Sequence, residues 1–163
     1  MRLATNATAC AAALLAGSAC SKGPETYGDD LANVETPPRG YKDIVTWLEA
    51  GHYKAWTCQP EPHPAAPPSP HGANRICNNA ILSGAANDGP FEVGAASVKE
   101  IYDRAGRLSL YAVYRKVEPG AGGDTWYWYE GAGDEVVANG EGEDTCTDCH
   151  DRAPRDYVFT LVN

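Results

Sequence analysis

A chain of 163 residues with a formal net charge of -9, from 22 acidic against 13 basic side chains, has room for one domain with a real core and carries an acidic surface. Nucleic acid is a poor partner for such a chain, because binding it needs a basic stripe that displaces counterions, and here the lysines and arginines are scattered. No internal repeat divides the sequence.

The N-terminus reads as a processing signal. Met1-Arg2 supplies a small positive region, Ala9 to Ala16 is apolar, and Gly17-Ser18-Ala19-Cys20 ends in the small residues that a signal peptidase requires. Residues 1–19 are therefore expected to be a signal peptide, too short for a stable membrane span. Cys20 adds a second option, a lipoprotein whose mature N-terminal cysteine carries acyl chains. The box departs from the usual pattern, since Gly17 stands where leucine is expected and Leu15 lies farther upstream. Either route leads to the periplasm or cell envelope. Residues 20–40 are polar and interrupted by Pro24, Pro37 and Pro38, which predicts a flexible leader before a domain spanning 41–163.

Within that domain, the segment Tyr41 to Ala50 puts Ile44, Trp47 and Leu48 on one helical face, with Gly51 as its stop. A proline-rich loop follows from Pro60 to Pro70, which rules out helix and disfavours central strand. Cys58 and Cys77 flank it. In an oxidising compartment they are the natural remaining pair for a disulfide, the alternative being two buried thiols. Ser97 to Tyr102 and Leu108 to Val117 are rich in β-branched and aromatic residues around the turn Asp103-Arg104-Ala105-Gly106, which predicts a hairpin. Trp126 to Tyr129 adds a third strand. Gly131 to Gly142 reads as a flexible acidic connector, and Tyr157 to Val162 as a terminal strand that closes the sheet.

Between those last two segments stands Cys146-Thr147-Asp148-Cys149-His150, the attachment spacing of a c-type haem. Two thiols on one tight turn reach two vinyl groups of one porphyrin as thioethers, and the next residue brings an imidazole to the iron. Two other readings compete. A zinc site would need Cys58 and Cys77 as further ligands, and a thioredoxin-like redox pair expects a βαβ setting; neither explains His150. The single methionine, Met1, falls in the signal, so a methionine sixth ligand is ruled out. A histidine, a lysine, water or nothing remains for that position. Of the histidines, His52 and His63 read as surface residues. His71 either faces the haem or serves a turn.

The order Trp47-Leu48-Glu49-Ala50-Gly51, His71-Gly72-Ala73-Asn74-Arg75, Gly94 to Tyr102, Trp126-Tyr127-Trp128-Tyr129, Cys146 to His150 and Asp156-Tyr157-Val158-Phe159 resembles the cytochrome P-460 family, from about Tyr41 to the C-terminus. The resemblance implies a mainly β (α+β) fold, an antiparallel sheet with a few packing helices around one covalently bound haem. It also implies a five-coordinate iron with His150 on its proximal side, and often a homodimer. Two chemistries are implied as well. One branch of the family oxidises hydroxylamine, with a lysine covalently joined to the porphyrin edge, and would pass electrons to a redox partner such as another cytochrome. The other, the β-sheet cytochromes c′, binds nitric oxide or carbon monoxide in an apolar pocket. An electron carrier with a histidine sixth ligand is a third option. By position, Lys99 matches the family's lysine, and Arg75 would fall on the distal side.

Alternation puts Lys99 on the face of Ile101. A four-residue turn would set that face against Leu108, Leu110 and Ala112, and a three-residue turn would set Lys99 opposite Tyr111. Oxidising hydroxylamine also needs a proton acceptor. Glu100 faces away from Lys99, and Glu118, Asp124 and Glu130 stay open for that role.

Overall fold

The computed structural model describes residues 35–67, 69–86 and 88–163. The signal sequence, the Cys20 box and the leader as far as residue 34 lie outside them.

Helix α1 spans Tyr41–Ala50 and ends at Gly51, whose left-handed φ of 75° lets its N–H reach the Leu48 carbonyl. Ile44, Trp47 and Leu48, at positions i, i+3 and i+4, are all buried. Full burial of an aliphatic side chain such as Ile44 or Leu48 is worth about 1.5–3 kcal/mol. Residues 35–40, the end of the expected leader, contain no helix or strand yet are tied to the domain. Glu35 Oε1 accepts from Trp47 Nε1 at 2.9 Å, and the Pro37 carbonyl accepts from Arg115 Nη1 at 2.8 Å.

Six strands follow: β1 (Thr57–Cys58), β2 (Ala73–Asn78), β3 (Ala96–Tyr102), β4 (Leu108–Lys116), β5 (Trp126–Ala132) and β6 (Glu135–Glu141). They lie in one sheet in sequence order, each antiparallel to the next. With two further short helices, α2 (Ala80–Ser83) and α3 (Asp144–His150), this is the mainly β, α+β fold expected. The hairpin β3–β4 takes the register that places Lys99 opposite Ala112 and Ile101 opposite Leu110.

Pleating gives the sheet two different faces. Val98, Val113, Tyr127 and Tyr129 point toward α1 and pack with Ile44, Trp47 and Leu48. The opposite face carries two rows across the strands. Ile76, Lys99, Ala112 and Glu130 form one, and Ser97, Tyr114 and Trp128 form the other.

Three segments differ from the sequence reading. Gly131 to Gly142 is no connector: β5 runs to Ala132, turns on Gly133-Asp134 and pairs with β6. As an edge strand, β6 carries outward charges, which are a usual edge device and which resemble loop composition in a sequence. Strand β2, absent from the sequence reading, fills the gap between the proline-rich loop and β3. The expected terminal strand does not form. Asp156 (φ 38°) and Tyr157 (φ 67°) break the extended path, and Val158 is buried against the aromatic face. Its β-branched and aromatic composition suits a half-buried surface, met here by lying over the sheet.

Cys58 and Cys77 are bridged, directly opposite one another in β1 and β2, and so close the proline-rich loop. Replacing both by alanine is expected to lower stability by about 3 kcal/mol, the cost of freeing a loop of this length in the unfolded chain. Urea denaturation of the two proteins measures it. Equal midpoints would show that the loop is held by other contacts.

Candidate functional site

Helix α3 sets Cys146, Cys149 and His150 on one face, because i, i+3 and i+4 are neighbours on a helix. Both cysteines are free thiols, Cys146 half-buried and Cys149 exposed. The His150 ring is packed edge-on against Trp128 at 4.9 Å, Phe159 at 5.2 Å and Tyr114 at 5.9 Å between centroids. Its Nδ1 lies 2.7 Å from the Tyr157 carbonyl oxygen. A carbonyl only accepts, so Nδ1 carries the proton and Nε2 keeps its lone pair. Burial lowers the pKa of His150, the Tyr157 hydrogen bond opposes this, and Lys99 adds to it; the ring is neutral and able to ligate.

Beside α3 opens a cavity of about 860 Å³, toward the upper end of the range usual for cofactor sites. Cys146, Cys149 and His150 line it, and Ile76, Lys99, Ala112 and Glu130 supply the sheet wall. His63 and His71 close it from the proline-rich loop. His63 is half-buried, where the sequence suggested the surface, and its Nε2 is buried without a hydrogen-bond partner. These residues fit a haem. Two thiols and a fixed imidazole share one helix face, next to a cavity of cofactor size.

The competing readings fit less well. Zinc would need Cys58 and Cys77, which are committed to their bridge. Among the described residues no group of three or more His, Cys, Asp or Glu is arranged to hold a bare metal ion. A redox dithiol needs a depressed thiol pKa, whereas burial, with Glu130, Glu143 and Cys149 nearby, pushes Cys146 up to about 12. The βαβ setting is missing as well, since the sheet is antiparallel throughout.

Lys99 faces the cavity. Burial lowers its pKa against the opposing influence of Glu130, so its neutral amine is favoured relative to an exposed lysine. Glu130 lies in the same row, one strand beyond Ala112. Burial raises its pKa and Lys99 partly offsets the rise. His71 Nδ1 stands 3.9 Å from Glu130 Oε1. Burial first, then Lys99 and His150, lowers the His71 pKa to about 4, so that contact joins a neutral imidazole to a carboxyl group and is not an ion pair.

Arg75 requires a correction. Alternation along β2 turns it to the face opposite Ile76, where its Nε donates to the Gln59 carbonyl at 2.8 Å and its Nη1 to Glu100 Oε2 at 3.2 Å. Glu100, as expected, faces away from Lys99 and accepts there from Tyr53 and Tyr102. Arg75 thus braces a buried carboxylate and does not line the cavity. Of the three carboxylates left open, Glu118 and Asp124 are exposed, and Glu130 alone lines the cavity. The alternation of Trp126 to Glu130, which puts Trp128 and Glu130 on one face, is the signal that could have singled it out. His52 is exposed, with its Nδ1 3.1 Å from Glu35 Oε2.

The helix docks closely. A Cβ on Gly123 would stand 2.5 Å from Thr147 Cγ2 and 2.9 Å from Tyr157 Cε1, and the Gly123 carbonyl accepts from Trp128 Nε1 at 3.0 Å. Gly123→Ala is therefore expected to push α3 and Tyr157 off the sheet and destabilise the protein by about 1–3 kcal/mol. A thermal melt tests this, and an unchanged midpoint would mean that the contact relaxes freely.

No protein-family profile, curated protein or solved structure matches the chain. The site is read from its own residues.

Proposed function

We propose that this chain is an exported monohaem c-type cytochrome that oxidises hydroxylamine or a similar small nitrogen substrate. Cys146 and Cys149 hold the haem by thioethers, and His150 Nε2 binds its iron. One observation carries this reading. The proton of His150 is fixed on Nδ1 by the Tyr157 carbonyl, which leaves Nε2 as a ligand beside two free thiols on a cavity wall. A bound haem would supply the iron that takes electrons from the substrate, to be passed on to a redox partner such as another cytochrome.

The chain's own residues divide the remaining work. Glu130, with its pKa raised by burial, accepts a substrate proton. His71, neutral and 3.9 Å from Glu130, would orient the substrate. Lys99, with its amine favoured by burial, is the residue that the family likeness would join to the porphyrin edge. Export, an acyl anchor on Cys20, a periplasmic or envelope location and a homodimer belong to the same proposal.

Ile76, Ile101 and Leu110, all on the cavity wall, favour a second reading, storage or sensing of nitric oxide or carbon monoxide in an apolar pocket. Hydroxylamine-dependent reduction of an acceptor dye by the purified protein separates the two. Turnover supports the oxidase, whereas tight gas binding without turnover supports the second reading. A low-spin spectrum in both oxidation states, abolished by His71→Ala, would replace both with an electron carrier. Mass spectrometry of the tryptic haem peptide tests the Lys99 link. Haem joined only to the Cys146–His150 segment would remove it.

A further inference from the structure

On the same side of the sheet, Lys116 at the end of β4 is fully buried and its ammonium group is saturated. Nζ donates to the Gly120 carbonyl at 2.6 Å, Thr125 Oγ1 at 2.7 Å and Asp156 Oδ2 at 2.7 Å, and it lies 4.8 Å from the centre of the Trp126 ring. Asp156, equally buried, also accepts from the Phe91 N–H at 2.9 Å and from Trp126 Nε1 at 3.4 Å. A buried pair so fully satisfied is a rigid anchor, and losing either partner would leave a charge without compensation. What it anchors is unusual. Asp156 and Tyr157 are the non-glycine residues with positive φ among those described, and the carbonyl of Tyr157 accepts the hydrogen bond from His150 Nδ1–H. A left-handed backbone persists in L-residues only where its surroundings impose it.

We propose that Lys116 is a positioning residue for the haem ligand: its ion pair with Asp156 clamps the strained Asp156–Tyr157 turn, and the turn in turn fixes the tautomer and aim of His150. This rests on His150 as the axial ligand and extends the site to a residue that never touches the cavity. It also explains why a lysine, which is costly to bury, stands in this core, where a saturated ammonium gives directional hold that an apolar side chain would not.

The test reads the imidazole itself. In the full-length protein labelled with 15N-histidine, reduced and held under carbon monoxide so that any haem is diamagnetic, the His150 Nδ1 proton should be present and slow to exchange. Lys116→Met should speed its exchange by about tenfold or more, the factor that accompanies loss of an ordinary hydrogen bond. Should that variant not fold, the neutral pair Lys116→Met/Asp156→Asn leaves no uncompensated charge and should show the same acceleration. Unchanged exchange in the folded variants, or an acceleration shared equally by the His63 amide, which is hydrogen-bonded to the Asn74 carbonyl, overturns the clamp and leaves Lys116 a purely structural residue. If the wild-type Nε2 resonance shows no sign of iron coordination, the haem reading fails, while the comparison of Nδ1 protons among variants still decides the clamp.

Discussion

Replacing Cys146 and Cys149 together by serine is expected to abolish the haem stain that the wild-type polypeptide, on the proposed reading, should keep after denaturing electrophoresis. The effect is all or none, because a thioether survives unfolding and axial ligation does not. Single replacements should keep the stain through one thioether. Serine changes little else at these positions, since Cys149 is exposed and Cys146 only half-buried, so the double variant should fold with the same strand content. His150→Ala should keep covalent haem but lose the proximal imidazole, which separates attachment from ligation. The disulfide supplies an internal control, because the Cys58→Ala/Cys77→Ala protein should be less stable yet still stained. In the wild-type protein, unfolded without reductant, none of these four cysteines should react with a thiol reagent. A colourless wild-type protein, or one in which Cys146 and Cys149 label freely, would sink the proposal.

Much of this site was legible in the sequence, because its parts are local. Five consecutive residues carry the attachment pattern, one helical period carries the Ile44, Trp47 and Leu48 face, and strand alternation was enough to turn Lys99 and Glu100 to opposite sides. The register of the hairpin was not legible: five residues, 103–107, connect the strands, with a shift between Ile101 and Tyr102, and set Lys99 opposite Ala112. The Asp103 side chain accepts from the N–H groups of Ala105 and Arg107 and so holds the longer connection.

What the sequence left hidden depends on contacts distant along the chain. Arg75 belongs to Glu100 because β2 pairs with β3, and β2 itself gave no clear signal: Ala73 to Asn78 mixes polar and apolar residues, and its neighbours across the sheet make it a strand. His63 looked like a surface residue because a proline-rich loop usually is one, yet its N–H and carbonyl pair with Asn74 and carry its ring inward. The Tyr157 carbonyl, which orients His150, is a backbone group, and its direction follows from two residues with positive φ, of which the tyrosine, unlike an aspartate, is rarely found there.

Glu130→Gln is expected to lower hydroxylamine turnover by about 10²–10⁴-fold, the usual contribution of a positioned proton acceptor, while nitric oxide binding stays near that of the wild type. Glutamine keeps the size and most of the hydrogen bonding of Glu130 but takes no proton. The pH dependence follows from the two opposing influences on the carboxyl group. Burial raises its pKa above the ordinary glutamate range, and Lys99 pulls it part of the way back. The base form therefore grows as pH rises through that raised pKa, and turnover should climb with it. In Glu130→Gln this limb of the profile should vanish. In Lys99→Leu, which removes whatever positive charge the buried amine still holds beside the carboxylate, the limb should move to higher pH. These two shifts are opposed to what a solvated carboxylate would give, since its limb would sit in the acid range and ignore Lys99. Turnover and pH profile unchanged in Glu130→Gln would move the proton acceptor elsewhere. His71, 3.9 Å from Glu130 and neutral above about pH 4, would then be the group on the cavity wall to replace next.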